Sequence, residues 1–224
     1  MKVIKPSFEV LTPISPFGIR ELQHIERIGR VCYKSEDKIT KDGESAKKFV
    51  AMLIKRGHEA MIEHGSISVK FICDRGVSHE LVRHRIASFA QESTRYCNYS
   101  QDKFGNELTF IEPCFWPQKV EGEPNRINPL YNMWYQTMAD IEDSYFYLIN
   151  NGATPQEARS VLPNSLKTEI TITANYREWR NIFKLRTANA AHPQMREIMR
   201  PLLLYFQEHI SVLFDDISFE EEPK

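Results

Sequence analysis

The chain has 224 residues, 42% hydrophobic and 26% charged, with 29 Lys and Arg against 30 Asp and Glu, a formal net charge of −1. This composition excludes a disordered chain, which has fewer apolar residues and less balanced charge, and 9 Gly and 12 Pro exclude a collagen or linker sequence. A near-neutral total also gives no field for a dedicated nucleic-acid or membrane-surface binder, so any anion site must be local.

The opening segment, residues 1–15, lacks an uninterrupted apolar run and a small-residue cleavage site, and reads as mature sequence without a secretion signal. Pro16 after Ser15 opens a first helix, with Leu22, Ile25, Ile28 and Cys32 on one stripe. Ala46, Phe49, Val50, Leu53 and Ile54 mark a second amphipathic helix, with Ser45 as cap and Gly57 as stop. Ile67, Val69, Phe71 and Cys73 alternate with polar residues as in a half-buried strand. Val77, Leu81 and Val82 indicate a short helix. The segment from Pro113 to Pro129, with four prolines and little periodicity, reads as a loop.

From Leu130, the residues Met133, Trp134, Met138, Ile141, Tyr145, Leu148 and Ile149 define a long helix that Asn151 and Gly152 terminate. Thr154, Pro155 and Glu157 form a capping-box start, and Pro163 ends that short helix. Ile170, Ile172 and Ala174 alternate in a second strand, a helix follows from about Arg177, and a last helix starts at Pro193 with a kink at Pro201. Cys32, Cys73, Cys97 and Cys114 show no CxxC spacing and read as reduced thiols of a cytoplasmic protein. Apolar stretches such as Leu202 to Phe206 are far short of the roughly 20 residues a bilayer requires. The pattern predicts an α/β (α+β) fold: one domain over residues 1–224, a mixed sheet flanked by helices, with residues 219–224 as an acidic tail.

The densest polar cluster is Arg83, His84 and Arg85, followed by Ser88, Gln91, Ser93, Thr94, Arg95 and Tyr96. On a helix, three consecutive side chains fan out by about 100° each, so they would divide between two neighbouring anions. The bidentate guanidinium and short hydroxyls are donor types used for phosphate. A solvated basic face is the alternative reading of such a run.

This segment, RHRIASFAQESTRY, resembles the RHR-x7-S-x-R signature of the flavin-dependent thymidylate synthases, five fixed positions over thirteen residues. GHE followed by EH between Gly57 and His64 also resembles that family. So do Arg159 with Leu162-Pro163, and Asn175, Arg177, Asn181, Leu185 and Arg186 in order and spacing. The resemblance implies a homotetrameric enzyme with sites shared between subunits, making dTMP from dUMP. It implies methylenetetrahydrofolate as carbon donor and FAD, reduced by NADPH, as hydride source.

By the same resemblance Arg83, His84 and Arg85 contact FAD, with His58, Glu63, Gln91, Asn175, Arg177 and Asn181. Glu80, Leu81, Val82, Arg83, Gln91, Glu92, Ser93, Thr94, Arg95, Arg159 and Arg186 surround dUMP. Arg186 is the catalytic candidate, favouring the N3-ionised pyrimidine. Ala60 stands where family members often carry a small hydroxyl residue, Glu80 where glutamine is common, and Cys32 where some have serine.

Spacing bears on Arg186 separately, because it shares a helical stripe with Trp179, Ile182 and Phe183. Such an arginine either snorkels at the helix end or meets a charged ligand at the core edge. Ser93 reads as a substrate donor, since a nucleophile needs a hydrogen-bonded base and an orienting group that the sequence does not show. GHEAMIEH lacks the i, i+4 histidine pair of HExxH, so no metal site is assigned. The alternative functional class is a non-catalytic nucleotide- or RNA-binding module using Arg83 to Arg95, with Phe89, Tyr96 and Tyr99 for base stacking. Near-neutral charge weighs against it. A structural helical scaffold is a third reading, and it leaves Arg186 without a role.

Overall fold

The computed structural model describes residues 1–220; residues 221–224 of the expected acidic tail lie outside the described residues. The strands are β1 (Lys2–Ile4), β2 (Ser7–Val10), β3 (Ser66–Asp74), β4 (Ala87–Gln91), β5 (Thr109–Ile111), β6 (Lys119–Val120), β7 (Glu123–Ile127) and β8 (Lys167–Asn175). The α-helices are α1 (Ile19–Val31), α2 (Glu44–Lys55), α3 (Arg75–Leu81), α4 (Pro129–Asn150), α5 (Pro155–Ala158), α6 (Tyr176–Arg186), α7 (Pro193–His209) and α8 (Ser211–Phe214). The fold is therefore α/β, with a four-stranded sheet in the order β2-β3-β8-β4 and two small two-stranded sheets. The chain forms two compact units: Met1–Ser7, Phe71–Arg83 and Ala90–Ile170 in the first, and Phe8–Lys70, His84–Phe89 and the residues from Thr171 onward in the second.

In the first unit, β1 pairs in parallel with β5, setting Lys2 opposite Thr109 and Ile4 opposite Ile111. The N-terminal ammonium is 2.9 Å from Glu142 on α4. Helix α4 starts where Pro129 needs no N–H partner and the Asn128 side chain accepts from the Leu130 amide at 3.0 Å. It buries Met138 and Tyr145 among Tyr99, Leu108, Phe110, Ala158 and Leu166. Helix α5 has the expected start: the Glu157 carboxylate accepts from the Thr154 amide at 2.8 Å and hydroxyl at 2.7 Å. The segment expected to be a loop before α4 instead contains the antiparallel pair β6 and β7, turned at Gly122 with φ 77°. All five β7 residues are exposed, so no buried face imposed an alternation that sequence could show.

The second unit packs α1 on α2, and α6 on α7. Its centre is an aromatic cluster of Trp179, Phe183, Phe206 and Phe214, all fully buried, with ring centroids 5.1–5.7 Å apart among the contacting pairs. Burying one such side chain contributes on the order of 1.5–3 kcal/mol, so this cluster is a main anchor of α6. The Trp179 indole N–H donates to the Ile67 carbonyl on β3 at 3.0 Å. Helix α7 continues through Pro201.

Two starts differ from expectation. A 3-10 turn at Pro16–Gly18 precedes α1, because Gly18 takes a left-handed φ of 64°. Helix α2 begins after Gly43 (φ 83°), one residue before Ser45; the Ser45 hydroxyl donates to the buried Glu26 carboxylate at 2.8 Å and accepts from the Thr40 amide at 2.8 Å. Ser45 thus ties α2 to α1 rather than capping its own helix.

Gly65, at the start of β3, has a packing reason to lack a side chain. A Cβ there would meet the buried Tyr176 ring at 2.1 Å, while the Gly65 carbonyl accepts from the Tyr176 amide at 3.0 Å. Gly65→Ala is expected to lower unfolding free energy by about 1–3 kcal/mol through overpacking. Urea denaturation checks this, and an unchanged midpoint would show that the ring moves freely.

Candidate functional site

The RHR residues follow α3 in a turn and bend before β4, and are not on a helix. The expected helical fan therefore does not apply; the turn sends His84 inward and leaves Arg83 and Arg85 exposed. Neither arginine has an ion-pair partner among the described residues.

In the second unit, His84 is 6% exposed and lies between two residues of α6. Its Nδ1 is 3.1 Å from Glu178 Oε1, and Arg186 Nε donates to its Nε2 at 3.0 Å. An arginine has only donors, so the Nε2 it reaches must carry a lone pair and the imidazole proton sits on Nδ1, donating to Glu178. Burial and the nearby Arg186 cation hold the His84 pKa below its ordinary value, against the opposing effect of Glu178. Arg186 is half-buried at the end of α6, on the same side as Trp179, Ile182 and Phe183. Its guanidinium is accordingly tied to a core residue rather than snorkelling alone.

A cavity of about 400 Å³ in the same unit is lined by Glu59, Glu63, Ile86, Asn175, Arg177, Glu178, Arg180, Asn181 and Lys184. It brings together four residues singled out in the sequence: Glu63, Asn175, Arg177 and Asn181. Asn175 Oδ1 caps α6 by accepting from the Glu178 amide at 2.8 Å. The Asn181 amide lies 3.3 and 3.4 Å from the Glu178 carboxylate. Arg177 donates to Glu63 at 2.6 Å and lies 3.5 Å from Glu59. His58, the residue before Glu59, is exposed and does not line the cavity.

The cavity's other arginine is structural. Arg180 is 2% exposed, forms a fork on Asp216 at 2.6 and 2.6 Å, donates to the Leu213 carbonyl, and approaches Glu59 at 3.4 Å. Glu178, Glu59 and Arg180 were not identified from the sequence as site residues. Glu178 had a local signal, since Asn175 three residues earlier makes it the third residue of a capped helix; Glu59 lies inside the quoted GHE.

The first unit holds the remaining candidates. Gln91 donates to Ser78 Oγ at 2.9 Å and Thr168 Oγ1 at 3.2 Å. Glu92 accepts from the Tyr99 hydroxyl at 2.9 Å and pairs with Lys167 at 3.0 Å, while Lys167 also reaches Glu169 at 2.6 Å. Burial disfavours the Lys167 charge, yet Glu169 and Glu92 outweigh it and raise its pKa. Ser93 begins a turn: its carbonyl accepts from the Tyr96 and Cys97 amides at 3.1 and 3.0 Å. Thr94 is buried, Arg95 is exposed over the Tyr96 ring at 5.4 Å, and Arg159 is exposed in a 3-10 turn. Glu80 is half-buried, Val82 exposed, and Leu81 fully buried, so only the Leu81 main chain can meet a ligand.

Among the described residues no group of three or more His, Cys, Asp or Glu is placed to hold a metal ion, and no helix is long and apolar enough to cross a membrane. The cavity offers donor types that suit a flavin nucleotide, the amides of Asn175 and Asn181 and the guanidinium of Arg177, next to the apolar Ile86 and the carboxylates of Glu59, Glu63 and Glu178, while the exposed Arg85 lies outside this lining.

Residues 20–210 match the family model "Thymidylate synthase complementing protein". A protein of Pyrococcus furiosus named flavin-dependent thymidylate synthase is 33% identical over 157 residues, 70% of this chain and 60% of the relative, so the match spans less than two thirds of that relative. Two others of the same name, from Corynebacterium aurimucosum and Geobacter sulfurreducens, are 30% and 29% identical. They align over 86% and 84% of this chain and 78% of each relative.

The His84 environment predicts a pH effect on stability. The depressed pKa means that the unfolded chain takes up a proton near pH 6.5 before the folded one does, so this contribution is complete above 6.5 and lost as pH falls through the window below it. Parent protein should lose more unfolding free energy between pH 7.5 and 5.5 than His84→Asn does. Equal losses in chemical denaturation would show that His84 titrates normally.

Proposed function

This chain belongs to the family of the flavin-dependent thymidylate synthases, and from that premise we propose that it converts dUMP to dTMP by reductive methylation. Methylenetetrahydrofolate gives the one-carbon unit and NADPH the reducing equivalents, in a homotetramer with sites shared between subunits. FAD, when bound, supplies hydride after reduction by NADPH. The observation that carries this reading is the cavity that gathers Glu63 from one segment with Asn175, Arg177 and Asn181 from a distant one, residues that the family resemblance assigns to one cofactor.

The chain's own residues divide the work. His58, Glu63, Arg83, His84, Arg85, Gln91, Asn175, Arg177 and Asn181 hold FAD. Because Arg177 is engaged by Glu63 and Glu59, a phosphate must compete with those carboxylates, whereas Arg85 has no such competitor. Glu80, Leu81, Val82, Arg83, Gln91, Glu92, Ser93, Thr94, Arg95 and Arg159 hold dUMP, Ser93 and Arg95 as donors to it. Gln91 and Glu92 already spend side-chain bonds within their own unit, so they shape the segment as much as they bind. Arg186 stabilises negative charge on the pyrimidine, which a half-buried, always protonated guanidinium does better than a solvated one. No protein nucleophile is needed, and Ser93 has no base bonded to its hydroxyl among the bonds observed.

The purified protein should bind FAD stoichiometrically and convert dUMP to dTMP when given methylenetetrahydrofolate and NADPH. A protein that ignores both FAD and dUMP excludes the assignment. Arg186→Ala should lower kcat by about 10²–10³-fold with the fold intact, and turnover near the parent rate would remove Arg186 from the chemistry. Ser93→Ala should weaken dUMP binding by roughly tenfold, the worth of one hydrogen bond to a charged group. Normal binding with abolished chemistry would instead assign Ser93 a nucleophilic role.

A further inference from the structure

We propose that Glu178 is a positioning residue for Arg186 and acts through the tautomer of His84. Glu178 and Arg186 lie eight residues apart on α6, about 12 Å along the axis, too far to touch. His84, arriving from the turn before β4, spans the gap with one ring nitrogen on each. The bond that Arg186 Nε–H makes to His84 depends on Nε2 being an acceptor. That in turn requires the proton on Nδ1, where the Glu178 carboxylate receives it. Moving the proton to Nε2 would set an N–H against the Arg186 N–H and leave Nδ1 as a lone pair facing a carboxylate, two repulsive contacts in a buried place.

Glu178 is itself fixed for this task. It is 8% exposed, its amide is capped by Asn175, and its carboxylate is approached by Asn181. Asn175 and Asn181 therefore bear on Arg186 as well as on the cavity they line. The inference rests on the reading of Arg186 as catalytic, but the tautomer of His84 can be measured without turnover.

The test compares the full-length parent with Glu178→Gln and Glu178→Leu, using protein labelled with ¹⁵N in histidine and arginine. Long-range ¹H–¹⁵N spectra should show the Nδ1–H form of His84 in the parent and in Glu178→Gln, whose side-chain oxygen still accepts. Glu178→Leu should lose that form and shift the Arg186 Nε–H resonance. Kinetically, Glu178→Gln should keep at least a third of parental kcat, while Glu178→Leu should lose tenfold or more with the dUMP KM changed less than threefold.

An Nε2–H form in the parent overturns the proposal. So does retention of parental kcat in Glu178→Leu, and so does equal loss in both variants, which would assign Glu178 to cavity charge alone. If Glu178→Leu does not fold, the Gln variant decides: His84 should titrate at lower pH once the carboxylate is gone, and an unchanged titration overturns the proposal. A parent without dUMP turnover would remove the functional reading and leave the tautomer result to judge the positioning.

Discussion

Helix α6 is anchored in the core by a buried tryptophan. Trp179 is fully covered, packs on Phe183 and Phe206, and spends its indole N–H on the Ile67 carbonyl of β3. That combination of apolar area and a directional bond fixes both the depth and the rotation of the helix. Once the rotation is set, Glu178 and Asn181 fall at the cavity and Arg186 falls on the Trp179 side. Moving Trp179 would displace each of them.

Within the cavity, charge is balanced locally. Glu59 stands between Arg177 and Arg180, Glu63 pairs with Arg177, and Asp216 takes the fork of Arg180. Arg180 is almost fully covered and its pairing is structural, because a buried guanidinium without such partners would be costly. Arg177 is 53% exposed and its pairs are worth little in water, so it can exchange a carboxylate for a ligand anion at small cost. Two arginines three residues apart thus serve different ends, decided by burial.

The first unit uses another device for its polar segment. Gln91 and Glu92 are tied to Ser78, Thr168, Tyr99 and Lys167, which fixes the backbone leading into the Ser93 turn. Burial beside Glu92 pushes the Tyr99 hydroxyl far above its usual pKa, so it remains a donor throughout the physiological range. The exposed Arg95 extends from the turn that follows these two anchored residues.

The sequence alone determined the local patterns: the alternation in β3 and β8, the capped start of α5, the stripe of α6, and the identity of the signature residues. These depend on period and on chemistry between near neighbours, which a linear string records. It could not show the β6–β7 pair, whose exposed residues carry no pattern, or that Ser45 serves Glu26 rather than its own helix. Nor could it show that His84 is buried between Glu178 and Arg186, since those contacts span 94 and 102 residues. Charge balance read from composition set the total near zero. Only the tertiary structure decided which arginines are neutralised in place, as Arg177 and Arg180 are, because pairing depends on distance and burial.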